Sequence, residues 1–440
     1  MQPTDPIAAV VHADPYPYYA ALAARPGLLF EPRLGLWLAA SAASVRAVLG
    51  HADCLVRPSG EPVPAAIAGA PAGRVFAELV RMNEGARHTQ PKLALQRALT
   101  GVDTQEARRR AHALGLALWR DGVCRHGDDR DQGHNHRQGQ GQGQGQGRVS
   151  GGSDAGGDDL ANWIAALPVS VVASLIGFAD DELPALAAWM GEFVACLSPL
   201  SDAGQLARAN QAAAALLASF RGLLRQASAR PETLLAGVLA EAEAVGWERA
   251  DSLLANLVGL LSQTYEATAG LIGNGLIARQ RQADAAGASI AGTTAGDVDA
   301  TGADGAGPAC GEPLGFGAPA RQDARRAAAA LVAAVSRADP PVQNTRRFVA
   351  RDCVVAGTPL LAGQTVLVLL AAANHDPAGD GATFGFGHGA HACPGHALAC
   401  AIATGALQAA AELPLPARLA WRYRPSHNGR IPLFFTQESA

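Results

Sequence analysis

The sequence lacks three things: a charge excess of either sign, a long unbroken hydrophobic run and a cysteine pattern. Its formal net charge is −4 over 440 residues, with the positive residues dispersed. Nucleic acid is therefore not an expected partner, because binding it needs a basic face. No apolar run approaches the ~20 residues of a membrane span. Among the best, LVLLAAA at 367–373 is far too short. The N-terminal MQPTDPIAAVVHADPYPYY has neither a basic start nor an apolar core, so no signal peptide is read and a cytoplasmic location is expected. The seven cysteines (Cys54, Cys124, Cys196, Cys310, Cys353, Cys393 and Cys400) show no pairing spacing. That suits a reducing compartment and mostly inert thiols.

What is present is apolar and helical. Hydrophobic residues make up 49% of the chain, enough for a large core in one big domain or two ordinary ones. Apolar residues recur every three or four positions in WIAALPVSVVASLIGF, ELPALAAWMGEFVACL and QLARANQAAAALLASFRGLL, and again in ADSLLANLVGLLSQTYEATAGLIGNGLIARQRQ. The last predicts a helix of unusual length crossing the domain. Strand signals are short and peripheral: LLFEPRLGLWLAA in the 30s, DCVVAG and QTVLVLL within 352–370, and the region around the Asn428-Gly429 turn. The fold class predicted is mainly α with small marginal β-sheets. Two stretches, at about 125–159 (with QGQGQGQG) and 283–321 (Ala, Gly, Thr and Asp), have little apolar periodicity. They are expected to be disordered inserts in a single domain spanning 1–440. Cys124, His126, His134 and His136 in the first could bind metal, although a solvated polar tract is the plainer expectation.

The chemistry concentrates in FGFGHGAHACPG, residues Phe384 to Gly395. Gly385, Gly387 and Ala390 fit a dinucleotide loop, but that motif needs a preceding strand and a helix directly after it, and neither is predicted here. His388, His391, Cys393, His396 and Cys400 are dense enough for zinc, yet no second ligand pair stands out. A haem thiolate fits better. Glycines let backbone lie flat on a large planar cofactor, and a cysteine at a helix N-terminus meets free amides that favour the thiolate.

Phe386, Gly389, Cys393 and Gly395 complete F-x-x-G-x-x-x-C-x-G. On these residues the sequence resembles the cytochrome P-450 superfamily, nearest its soluble bacterial members, and the resemblance covers most of the chain outside the inserts. It implies the cytochrome P-450 fold and haem b, with Cys393 as the axial thiolate and Phe386 packed near it. It implies propionate contacts from His391, from His88 and Lys92 (where the family has H-x-x-x-R) and from Arg347. It implies that the long helix covers the open face of the haem, with Glu266 and Thr268 kept from the family's acid-Thr-Thr stretch. Ala267 stands where the first Thr is expected. Gln263 shares the face of Ala267, and Thr264 lies about 60° from it. Either could donate a hydrogen bond to oxygen, or merely satisfy a neighbouring helix.

Three departures accompany the match. Arg337 of the expected E-x-x-R is present but position 334 is Ala, so a buried Arg337 would need another acceptor such as backbone carbonyls. The meander before the cysteine loop shrinks to Ala378–Thr383. The segment between the long helix and Arg337 is replaced by the Ala/Gly/Asp-rich stretch. Pro394 has no amide hydrogen to offer the sulfur, which implies a more electron-donating thiolate.

The activity implied is monooxygenation of a small-to-medium apolar substrate with O2. Electrons would come from an external ferredoxin or flavodoxin and its reductase, since no such module is visible in the chain, and a monomer is expected. A peroxide-driven oxygenase and a degenerate, non-catalytic haem-binding homologue are the alternatives.

Overall fold

The computed structural model of the chain describes residues 2–134, 155–226, 230–293, 318–416 and 418–435. Its fourteen helices among these residues are α1 (Pro6–Ala9), α2 (Tyr16–Ala23), α3 (Ala42–Gly50), α4 (Pro71–Glu78), α5 (Ala86–Thr100), α6 (Thr104–His134), α7 (Ala155–Ile176), α8 (Leu183–Phe193), α9 (Ala203–Leu224), α10 (Leu234–Ala244), α11 (Ala250–Thr293), α12 (Ala318–Ala338), α13 (Leu370–Asn374) and α14 (His396–Ala410). The strands are β1 (Leu28–Glu31), β2 (Leu36–Ala39), β3 (Cys54–Leu55), β4 (Thr345–Val349), β5 (Cys353–Val355), β6 (Thr358–Leu360), β7 (Thr365–Val368), β8 (Ala420–Tyr423) and β9 (Pro432–Phe435). Helix accounts for 59% of the described residues, so the mainly α class is correct.

Local chemistry starts several of these helices. Asp5 accepts from the Ile7 and Ala8 amides at the head of α1, and Ser41 caps α3 through the Ser44 amide. Asp202 and Gln205 form a reciprocal capping box on α9. The long helix foreseen from periodicity is α11, 44 residues in all. It packs on α4, α7, α12 and α14. The strands form one five-stranded sheet in the order β1-β2-β7-β4-β3, with β2 parallel to β7 and the other pairs antiparallel. The hairpins β5-β6 and β8-β9 stand apart. Backbones approach closely where α14 meets α6: a Cβ added at Gly405 would sit 2.3 Å from the Arg108 carbonyl oxygen.

Three expectations change at this level. The low-complexity stretches are narrower than composition implied, because helix continues over 125–134, 155–159, 283–293 and 318–321. The rest of both stretches, including His136 and Cys310, lies outside the described residues, as do the side chains of Cys124, His126 and His134. A window long and apolar enough for a membrane span does exist, at Asp159–Ile176 within α7. It is 61% buried inside the protein, as the core helix of a folded domain would be. Third, Arg337 is exposed, not buried, and its Nη1 donates to the Gly381 carbonyl, so the missing carboxylate at Ala334 leaves no buried charge behind.

The shortened meander is pinned by polar contacts. Asp376 accepts from the Ala42 amide at 2.8 Å, Asp380 pairs with Arg46 at 2.6 Å, and Asn374 accepts from the Phe384 amide at 2.7 Å. The deeply buried arginine is instead Arg430, fully enclosed. Its Nε donates to Asp339 at 2.7 Å, its Nη1 donates to the Val10 and His12 carbonyls, and its plane lies 3.7 Å from the Tyr423 ring centroid. No sequence motif marked it.

Candidate functional site

The cysteine loop is built by backbone hydrogen bonds. Gly387 takes φ +74°, a left-handed conformation, and a Cβ there would meet the His391 carbonyl oxygen at 2.9 Å. The Gly387 amide donates to Phe384 at 2.7 Å, and the Cys393 amide returns to the Phe386 carbonyl, also at 2.7 Å. The loop thus closes on itself and projects Cys393 just ahead of α14, whose N-cap is Gly395. Cys393 is exposed, and the Gly395 amide donates to its sulfur. The sulfur therefore has one backbone donor although Pro394 supplies none. Burial in the surrounding protein pushes the Cys393 thiol up, while that amide and the Lys92 charge pull it down less strongly. A bound metal ion deprotonates such a thiol directly. Phe386 stacks on His396, centroids 3.8 Å apart and planes at 19°.

A cluster of nitrogen donors lies beside the loop. Lys92, the chain's only lysine, donates to the Ala392 carbonyl. His391 Nε2 is 3.0 Å from Glu84 Oε2, and the His391 ring lies 4.2 Å from that of His88. His88 is 6% exposed and its Nε2 has no hydrogen-bond partner. Burial first, then the charges of His391 and Lys92, lower its pKa to about 4. Arg347 on β4 is 5% exposed and donates to the Arg346 carbonyl and Thr345 Oγ1, with no carboxylate paired to it among the described residues. An orphaned histidine nitrogen and a buried guanidinium without a carboxylate fit an anionic group that reaches in from outside the chain. The donor set thus fits a porphyrin carrying propionates, with a cysteine as its metal ligand. The histidines and cysteines of the loop do not converge as the zinc alternative requires. Among the described residues, no group of three or more His, Cys, Asp or Glu could hold a metal ion.

The long helix supplies the other half. From 254 to 277 α11 is buried except over 263–267, where five consecutive residues are half-exposed. One turn of a core helix therefore loses its cover on every side. Gln263 donates to the Gly259 carbonyl at 3.1 Å and Thr264 to Leu260 at 2.8 Å. The Thr264 hydroxyl proton is thereby used within its own helix, so the expectation of a donor to oxygen fails for Thr264. Gln263 retains a second N–H. Glu266 is held by Arg424 at 2.5 Å instead of standing free for proton relay. Thr268 is buried at 2% exposure, away from the half-exposed turn. Arg424 was missed in the sequence because a solitary arginine outside a motif carries no local signal.

Comparison with known proteins agrees with this geometry. No family model matches the sequence. Cytochrome P450 144 of Mycobacterium tuberculosis, in strains CDC 1551 / Oshkosh and H37Rv, is 29% identical over 261 residues. The match covers 55% of this chain, which spans about half (52%) of the length of these curated relatives. Among solved structures, CalO2 superposes with a TM-score of 0.66 at 20% identity, covering 99% of both chains. P450BioI, in complex with a hexadec-9Z-enoic acid ligated acyl carrier protein, gives 0.63 at 18% identity, covering 96% of this chain and 99% of that one. Ligand-free CYP164A2 of Mycobacterium smegmatis gives 0.59 at 23%, covering 98% and 96%. The fold is that of the cytochromes P450. In its fold, its cysteine loop and the partial sequence match, the chain is similar to these cytochromes P450.

Proposed function

We propose that this chain is a haem-thiolate monooxygenase acting on a small-to-medium organic substrate with a largely apolar body. In this reading Cys393 ligates the iron, with Phe386 and Gly395 shaping the loop around it. His88, Lys92, Arg347 and His391 hold the propionates. When bound, the haem supplies O2 activation and oxygen transfer. The protein's own residues orient the porphyrin, exclude water and manage protons beside the half-exposed turn of α11. Gln263 has a donor left facing that turn, while Glu266 is engaged as the carboxylate partner of Arg424. Electrons come from an external ferredoxin or flavodoxin with its reductase, and the protein works as a cytoplasmic monomer.

One observation carries the reading: an exposed cysteine, fixed by a self-bonded glycine loop, beside a buried histidine nitrogen and a buried guanidinium that have no anionic partners. The test is the reduced carbon monoxide spectrum of haem-loaded protein. Wild type should show the red-shifted Soret band of thiolate ligation, and Cys393→Ser should lose it; the same band in both proteins sinks the assignment.

A peroxide-driven oxygenase is the second reading. It is favoured by Ala267, by the Thr264 donor spent on Leu260 and by the ion-paired Glu266. Turnover with hydrogen peroxide exceeding that with a ferredoxin system would select it.

A further inference from the structure

Arg81 sits in the 3₁₀ turn Val80–Met82 between α4 and α5. Its Nε is buried without a hydrogen-bond partner, and no carboxylate pairs with the guanidinium among the described residues. The buried Arg430, by contrast, has Asp339 and three backbone carbonyls. The charges that act on Arg81 belong to Glu266 on the half-exposed turn of α11 and to Cys196 beyond α8. Neither neutralises it. Glu266 is already bound by Arg424, and burial pushes the Cys196 thiol up to about 12, so it is uncharged at neutral pH. One carboxylate thus faces two guanidiniums, leaving a surplus positive charge beside the turn where α11 is uncovered.

Arg81 is half-buried with its Nε enclosed and unpartnered, an arrangement that is costly, and its planar fork matches a carboxylate. We infer that Arg81 anchors the carboxylate of the substrate, so that the substrate class is an organic acid whose apolar body extends toward residues 263–267. This rests on the monooxygenase reading and refines it. The other available carboxylate is a haem propionate. However, the adjoining Val80 amide donates to Asn256 Oδ1 of α11 at 2.8 Å, which sets Arg81 against the long helix that carries residues 263–267.

The test compares dodecanoate with methyl dodecanoate by Soret titration of haem-loaded wild type, Arg81→Leu and Arg81→Lys. Wild type should bind the acid about tenfold or more tighter than the ester, the scale of one charge-assisted hydrogen-bond pair. Arg81→Leu should abolish that preference while leaving ester affinity and haem content unchanged, and Arg81→Lys should restore part of it. Equal binding of acid and ester by wild type overturns the inference, as does an intact preference in Arg81→Leu. Loss of haem from Arg81→Leu with retention in Arg81→Lys assigns the residue to a propionate and also overturns it. If wild type takes up no haem, the monooxygenase reading fails separately. Calorimetric titration with the same two probes then decides: acid-selective binding lost in Arg81→Leu supports the anchor, and its absence refutes it.

Discussion

The Nε2 atom of His391 lies 3.0 Å from Oε2 of Glu84, joining residues 307 apart in sequence and tying the cysteine loop to the entry of α5. Glu84 also accepts from the Val56 amide at 3.2 Å, which places one carboxylate among the loop, α5 and the segment after β3. Everything proposed to hold the cofactor clusters about this contact.

That cluster makes stability depend on acid. Burial pushes the Glu84 carboxyl up, but the His391 hydrogen bond and charge, the Val56 amide and His88 outweigh it and hold the carboxyl below 4.5. Its stabilisation is complete above the unfolded value and is lost as pH falls through the folded one. His88 is depressed from 6.5 to about 4, so the unfolded chain takes up that proton first and stability declines as pH drops across this interval. Both effects have the same sign. His88→Gln should flatten the fall in melting temperature between pH 6.5 and 4, and Glu84→Gln should flatten it below 4.5. A scanning-fluorimetry profile unchanged in both variants would contradict this.

Arg430 and Asp339 should behave as a buried pair. Asp339→Asn leaves the enclosed guanidinium uncompensated and takes the carboxylate away from Tyr16 and Tyr423. A loss of about 3–5 kcal/mol is expected, read as a shift in the urea midpoint at constant slope. Arg430→Met combined with Asp339→Leu removes both charges and should cost less than Asp339→Asn alone.

Gly405 should tolerate no side chain. The Cβ of Gly405→Ala would fall 2.3 Å from the Arg108 carbonyl oxygen and 2.8 Å from the Ala111 Cβ. Helices α6 and α14 must separate, at a cost of about 1–3 kcal/mol or more. Because α14 begins three residues after Cys393, weaker haem retention should accompany the lower melting temperature. A variant as stable as wild type would mean the contact relaxes freely.

Two polar residues of the half-exposed turn, Gln263 and Thr264, should separate in function. Thr264→Ala removes a hydroxyl already committed to Leu260, so turnover and coupling should stay within about twofold of wild type, as for a change worth under 0.5 kcal/mol. Gln263→Ala removes an N–H that is not spent within the helix and should raise the fraction of oxygen lost as peroxide. Peroxide yield per NAD(P)H consumed measures both. A larger effect for Thr264 than for Gln263 would reverse the assignment.

Sequence reading reached the elements whose physics is local. The 3.6-residue apolar period marked α11, and β-branched and aromatic runs marked β1, β2 and β7. Glycine at left-handed positions is a local backbone requirement, which is why the cysteine loop was legible residue by residue. The expectation of a buried Arg337 failed because burial depends on which loop crosses a helix end, and the short meander leaves that end open. Thr264 and Glu266 were located correctly on their helix, but their partners Leu260 and Arg424 are set by rotamer choice and by the β8-β9 hairpin folding against α11.

The amino-acid order by itself determined the helical class, the peripheral sheets and a cysteine set behind glycines ahead of a helix, because each follows from contacts within a few residues. Only the tertiary structure decided which charges are neutralised. Glu84 meets His391 and Asp339 meets Arg430 across long stretches of chain, whereas Arg81 is left without a partner. Whether a buried charge is satisfied depends on its neighbours in space, and no pattern along the chain records them.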